Sequence, residues 1–243
     1  MIIDDSSTKS PENAPNFTSR WSISVEMLRR ILPQPLKDFY RVFVPRSMTE
    51  SFSSVYARDD WKGGSGRGST PENTVVYREL IERFLRTHNI KRVVDIGCGD
   101  WQFSRLINWE NIDYIGIDTV PAVIEANRQR YGLHYRFECL DVTRDTLPPG
   151  DLVIMKDVLQ HWPNDAIQAF LPRLEKYRFA ILTNCAYQGP SLNTEIAMTG
   201  FRPLDLRQAP FFFEAEEILR YHSDDSAPGL LNKLVLLHQS RTE

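Results

Sequence analysis

Hydrophobic positions recur with helical period in several stretches and with strand-like runs in others. Val25, Leu28, Ile31 and Leu32 share one helical face before Pro33 and Pro35, and Leu36, Phe39, Tyr40 and Phe43 share another before Pro45. Residues 61–74, WKGGSGRGSTPENT, break all periodicity and predict a glycine-serine loop. An amphipathic helix follows, with Val75, Val76, Leu80, Ile81, Phe84 and Leu85 on one side and Arg78, Glu79, Glu82 and Arg83 on the other. Apolar runs then predict strands at 92–96, 114–117, 135–140, 152–155 and 179–183. Helical stretches separate them at 103–107, 121–131 and 166–177, with Val158 also read as helical. Strands alternating with helices argue for a parallel sheet covered on both faces. Residues 185–210 lack periodicity, carry Gly189, Pro190, Gly200, Pro203 and Pro210, and predict a long excursion. A short helix at 214–221 and a strand at 233–238 close the pattern.

These elements divide the chain into a polar tail at 1–20, read as disordered, a helical appendage at 21–60, the loop at 61–74, read as a lid with a flexible linker as the alternative, and a main domain at 75–243. The two helices at 25–32 and 36–43 are expected to pack on the main domain, with a homodimer contact through them as the alternative. Their few basic residues make a membrane-surface role the weakest option. In 243 residues, 29 Lys and Arg oppose 32 Asp and Glu, for a formal charge of −3. That balance gives no basic footprint, so nucleic acid is not expected as a partner. Hydrophobic residues make up 42%, enough for a proper core, and no run is long enough for a transmembrane segment. The N-terminus lacks the basic-then-apolar order of a secretory signal, so the Asn16-Phe17-Thr18 sequon is read as accidental and the expected compartment is cytoplasmic. Cys98, Cys139 and Cys185 are too scattered for a disulfide framework, and no metal-ligand spacing occurs.

The candidate chemistry begins at Val93-Val94-Asp95-Ile96-Gly97-Cys98-Gly99-Asp100-Trp101, an apolar strand running into an acid and a Gly-x-Gly turn. Such a first strand-to-helix turn sits at the switch point of an open α/β sheet, where ligands bind. A dinucleotide fingerprint fails because its third glycine position is Gln102. A phosphate-binding loop at Gly63 to Gly68 fails because Ser69 replaces the required lysine and no strand precedes it. Asp95 through Gly99 instead resembles the first motif of class I S-adenosylmethionine-dependent methyltransferases, with Trp101 where many members have another glycine. The likeness continues in order through Ile115-Gly116-Ile117-Asp118, Cys139-Leu140-Asp141-Val142 and Asp151 to His161, over roughly residues 75–185.

The resemblance implies a seven-stranded, mostly parallel Rossmann-like sheet with an antiparallel last strand, and S-adenosylmethionine as cofactor. It implies cofactor contacts from Asp95, Gly97, Cys98, Gly99, Asp118, Asp141, Val142 and Lys156. Asp118 would hold both ribose hydroxyls, since one carboxylate can accept from two cis hydroxyls. Asp141 would receive the adenine amino group. Each has a plain alternative: Asp118 could cap the following helix, Asp141 could form an Asx turn before Thr143, and Cys98 could be a small packing residue. Asp157 and His161 are the catalytic candidates, four apart and on one face if that segment is helical, with the acid polarising a histidine base. Both could instead serve as helix caps. The acceptor is expected to be a small molecule, a sugar or other hydroxylated metabolite methylated on oxygen. This rests on a likeness of the 61–74 loop and of Arg202-Pro203-Leu204-Asp205-Leu206 to glycan-linked bacterial methyltransferases. N- or carboxyl-methylation, or a non-catalytic cofactor-binding subunit, are the alternatives.

Overall fold

The computed structural model describes residues 47–190, 192–223 and 231–240, all within one compact unit, Arg46–Glu243. The 1–20 tail, the amphipathic stretches at 25–32 and 36–43 and any dimer contact through them lie outside the described residues.

Seven strands form one sheet: β1 (Arg92–Ile96), β2 (Asp113–Asp118), β3 (Arg136–Cys139), β4 (Leu152–Lys156), β5 (Phe179–Tyr187), β6 (Glu216–Tyr221) and β7 (Leu231–Gln239). Their order is β3-β2-β1-β4-β5-β7-β6. The first five pair in parallel, and β7 runs antiparallel to both β5 and β6. Central strands such as β4 are buried at every residue, which is why they read as unbroken apolar runs. Alternate residues point to opposite faces. Val93, Leu152, Ile154 and Ile181 therefore pack under helix α2 (Val75–Thr87) with its Tyr77, Ile81 and Phe84. Val94, Val153, Met155 and Leu182 pack on the other face with Ile167 and Phe170 of helix α4 (Asn164–Phe170). Helix α3 (Pro121–Tyr131) follows β2 and buries Val123 and Ile124.

Three expected elements differ. Residues 103–107 and 166–177 are shorter helices than predicted, a 3-10 turn at Ser104–Leu106 and α4 followed by a 3-10 turn at Leu171–Lys176. The 214–221 helix is instead strand β6. Its Glu, Ala, Leu and Arg favour a helix locally, but the otherwise open edge of β7 recruits it, with a register shift between Glu217 and Leu219. One helix was not singled out at all: α1 (Met48–Arg58), inside the 21–60 stretch. A capping box starts it, Ser47 accepting from the Glu50 amide while the Glu50 carboxylate accepts from the Ser47 amide. Its buried Met48 and Phe52 join the cluster around Val94 and Met155. Among the described residues no helix is long and apolar enough to cross a membrane.

Candidate functional site

The strand order reverses between β1 and β4, so a crevice opens at their carboxyl ends. A cavity of about 310 Å³ lies there, lined from β1, β2 and β4, the loop at 65–69, α1 and the 160–162 turn. The glycines of the first turn are demanded by space and conformation together. Gly97 has φ +74°, and a Cβ there would sit 2.4 Å from Val158 Cγ2; Gly99 has φ +54°, and a Cβ there would sit 2.0 Å from Ser65 Oγ. Trp101 also adopts a positive φ, 60°, unusual for a bulky residue. Aromatic packing against Tyr114, Tyr131, Tyr135 and Phe137 holds it there.

Trp101 Nε1 donates to Tyr114 Oη (2.8 Å), and Tyr114 Oη donates in turn to Asp95 Oδ2 (2.6 Å). Ser104 Oγ donates to the same oxygen at 2.9 Å. Asp95 is thus a brace behind the turn and does not line the cavity. Burial pushes its pKa up to about 6, against the pull of the two hydroxyls. Cys98 is buried with the aromatic cluster, and neither it nor Gly99 lines the cavity. Gly97 does.

Asp118, at the end of β2, lines the cavity. Its Oδ2 accepts from the Gly99 amide (3.1 Å) and its Oδ1 from the Val120 amide (3.0 Å). Each oxygen keeps lone-pair capacity for a further donor. Burial raises its pKa to about 6 although these amides favour the charged form. Asp141 is placed differently. Its Oδ1 accepts from the Thr143 amide (3.1 Å) and hydroxyl (2.5 Å), an Asx turn, and it stands outside the cavity lining. The neighbouring Leu140 and Val142 are the residues that reach the cavity from this segment.

At the opposite end lies a buried charge cluster. Asp157 Oδ2 accepts from Lys156 Nζ (2.5 Å) and from Lys233 Nζ (2.8 Å), which reaches across from β7. Asp157 has φ +60°, and its Oδ1 is buried without a hydrogen-bond partner. Burial alone would raise its pKa, but the two ammonium groups outweigh that and hold it well below the usual carboxylate range. Lys156 Nζ also donates to the Gly68 carbonyl at 2.7 Å, so the ammonium expected at the cofactor pins the 61–74 loop to β4.

His161 lines the same cavity, but the expected Asp157–His161 pair is not formed. The segment is no α-helix: Asp157 turns left-handed, and a 3-10 turn at Leu159–His161 follows. His161 Nδ1 bonds the Gly200 carbonyl at 2.7 Å instead. A carbonyl can only accept, so Nδ1 carries the proton and the neutral ring keeps its lone pair on Nε2, which faces the Gln160 amide nitrogen as donor at 3.4 Å. Burial lowers the His161 pKa, more than the Gly200 bond and Asp157 raise it.

The loop and α1 form the cavity's remaining wall. Ser65 Oγ bonds Tyr56 Oη (2.8 Å) and accepts from the Asp100 amide (2.9 Å), and Gln102 donates to the Gly63 carbonyl (3.1 Å). The Trp61 ring lies 5.4 Å from that of His161 and 5.4 Å from that of Tyr56. Arg67 and Gln160 add polar groups to the lining. Sequence reasoning missed Tyr56, Trp61, Lys233 and Gln160. Only Trp61, an aromatic inside a glycine loop, left a local signal.

Residues 93–177 match the family model described as a methyltransferase domain. No curated protein matches the chain. Many solved structures do share its fold. One is 1,6-didemethyltoxoflavin-N1-methyltransferase of Burkholderia thailandensis, with 1,6-didemethyltoxoflavin and S-adenosylhomocysteine bound. It is 18% identical, matched over 87% of this chain and 92% of its own, with a TM-score of 0.56. The N-methyltransferase NodS of Bradyrhizobium japonicum, in complex with S-adenosylhomocysteine, is 14% identical over 81% of this chain and 100% of its own, with a TM-score of 0.57. Magnesium protoporphyrin IX methyltransferase of Synechocystis, with S-adenosylmethionine bound, is 16% identical over 81% of this chain and 99% of its own, with a TM-score of 0.54. At these identities the likeness is one of fold.

Proposed function

We propose that this chain, a class I S-adenosylmethionine-dependent methyltransferase by its matched domain and its fold, methylates a hydroxyl of a small acceptor, with His161 as general base. The residues present fit the cofactor. Gly97 brings the turn's backbone to the cavity wall in a left-handed conformation where a side chain would collide with Val158, Asp118 offers acceptor capacity for two ribose hydroxyls, and Leu140 and Val142 give an apolar slot for a purine. When bound, S-adenosylmethionine supplies an electrophilic methyl group on a sulfonium.

The observation that carries the hydroxyl reading is the His161 tautomer. With Nδ1 committed to the Gly200 carbonyl, Nε2 is a lone-pair acceptor in the cavity wall, held only by a long 3.4 Å contact from the Gln160 amide that an acceptor hydroxyl would displace. A hydroxyl gains from a base positioned to take its proton. Asp157 is unsuited to that task, because two ammonium groups stabilise its ionised form. A sugar or related polyhydroxylated metabolite suits the mixed wall, where Trp61 offers an apolar ring face and Gln160 and Arg67 offer polar groups.

An acceptor screen read by mass spectrometry, seeking the gain of one methylene and formation of S-adenosylhomocysteine, tests this directly. With an acceptor found, His161→Ala should lower kcat by about 10²–10⁴-fold, while cofactor affinity by calorimetry holds. Wild-type turnover in that variant refutes the base. Methylation confined to amines or carboxylates refutes the hydroxyl.

A further inference from the structure

The excursion between β5 and β6 grips the His161 segment by main-chain bonds. The Thr199 amide donates to the His161 carbonyl (2.9 Å), and the Arg202 amide to the Gln160 carbonyl (3.2 Å). The Gly200 carbonyl accepts from the imidazole. Wherever residues 199–202 sit, the ring must follow.

The Arg202 side chain secures that segment. It is 2% exposed. Its Nη1 donates to the Trp162 carbonyl (2.7 Å) and its Nη2 to Asn164 Oδ1 (2.9 Å), both just beyond His161 in the chain. Both acceptors are neutral. Neither acceptor is a carboxylate, and the Arg202 Nε has no hydrogen-bond partner among the described residues. The Glu195 carboxylate close by is engaged with the Asn164 amide (3.1 Å). Glu195 favours the charged form without bonding to it, and a buried cation without a direct ion pair is costly, so an apolar side chain of the same volume would serve packing alone better. The planar fork of an arginine is pre-organised to hold two acceptors at fixed spacing.

We propose that Arg202 is a positioning residue for His161: its guanidinium ties residues 199–202 to Trp162 and Asn164, holds the Gly200 carbonyl on Nδ1, and so keeps Nε2 as the ring's acceptor atom. The inference rests on the reading of His161 as the base. The charge acts in the same sense, because a cation at Arg202 disfavours a second proton on the imidazole, as Lys233 does, while Asp157 opposes both.

Two variants of the full chain separate the fork from the charge. Arg202→Lys keeps the charge and loses the fork; Arg202→Met keeps the bulk and loses both. Nitrogen NMR shifts of isotope-labelled His161 report its tautomer and its titration, and calorimetry with S-adenosylhomocysteine monitors the cofactor end. We expect a single Nδ1–H tautomer in the wild type and a mixture in both variants. The titration midpoint should rise in Arg202→Met and stay in Arg202→Lys, with ligand affinity unchanged. On an identified acceptor, kcat should fall by about 10²-fold, the loss that a small misplacement of a catalytic group carries, with KM little changed. A wild-type tautomer in both variants overturns the proposal. A mixed tautomer with wild-type turnover upholds the positioning and refutes His161 as the base. Should both arginine variants fail to fold, Asn164→Ala removes one acceptor of the fork and leaves the charge. An unmixed tautomer there also overturns the proposal.

Discussion

Acidification should weaken cofactor binding through Asp118, and the size of the effect follows from its surroundings. In the ligand-free site, burial lifts this carboxyl from 3.8 to about 6 despite the Gly99 and Val120 amides. Ribose hydroxyls donating to the ionised group would draw its pKa back towards the ordinary value. The bound form then holds fewer protons than the free form between those limits. Affinity should be flat above about pH 6 and fall about tenfold per pH unit below it. The total approaches about 10²-fold, or about 3 kcal/mol at 1.36 kcal/mol per unit. The empty fold responds with the opposite sign. A carboxyl raised in the folded state contributes stability below its unfolded pKa and loses it as pH rises through about 6. The ligand-induced rise in Tm should therefore grow with pH while the ligand-free Tm gains nothing from this group. Calorimetric titration with S-adenosylhomocysteine from about pH 8 down to about pH 5 reads the slope. Asp118→Asn should remove it and cost about 1.5–3 kcal/mol of binding at neutral pH. Asp95 shares the raised pKa but does not line the cavity, so it should add nothing to the binding slope. A flat wild-type profile, or an Asn variant that keeps both slope and affinity, defeats the assignment.

The loop and the charge cluster give two further tests. Gly64 has φ +65°, and a Cβ there would lie 1.9 Å from Asp100 Oδ2, so Gly64→Ala should lift the loop from the glycine turn and speed proteolysis at residues 61–70. In the wild type S-adenosylhomocysteine should slow that cleavage; equal rates in all four conditions dismiss the loop as a cofactor cover. Asp157→Asn should leave Lys156 and Lys233 facing each other without their shared anion and cost about 3–5 kcal/mol in thermal or denaturant unfolding. Because the Asp157 pKa is depressed, its contribution is present above about pH 4 and lost only on stronger acidification. An Asn variant as stable as the wild type refutes the ion cluster as a structural element.

Strands β1, β2, β4 and β5 were legible because inner strands of a sheet covered on both faces must spell short apolar runs, and Val93–Val94 and Leu152–Ile154 do so, whereas edge strand β3 (Arg136–Cys139) buries only Phe137 fully. Edge strand β6 was not, because half-buried residues carry no such run, and β7 rather than local propensity decides its state. Gly97 and Asp118 announced themselves through their place at strand ends. The sequence also held both fates of Asp141, and the local one, the turn to Thr143, is formed. The error at Asp157 and His161 is instructive. Spacing of four means a shared face only on an α-helix, and one left-handed residue at Asp157 cancels that geometry. Besides their chain neighbours Lys156 and Gln160, they are held by Lys233 and Gly200, which lie 76 and 39 residues away, beyond any local pattern.

The two catalytic candidates therefore divide their work in a way that charge alone explains. Asp157 sits in a conformation that costs a non-glycine residue roughly 1–2 kcal/mol, and two ammonium groups hold it there. A carboxylate so fixed cannot exchange protons near neutral pH, but it can unite three parts of the molecule. Through Lys156 it reaches the Gly68 carbonyl of the loop, and through Lys233 it reaches β7. The loop that walls the cavity is thus tied electrostatically to the strand beside the reacting centre. His161 has the reverse constitution. Among the described residues no carboxylate bonds it, its Nδ1 proton goes to a neutral carbonyl, and burial lowers its pKa more than the distant Asp157 charge raises it. An imidazole paired with a carboxylate would be a stronger base but would be protonated over more of the neutral range. With His161 in the role proposed for it, separation of the acid from the histidine would leave a weaker base that stays available, and it leaves the acid free to hold the site together.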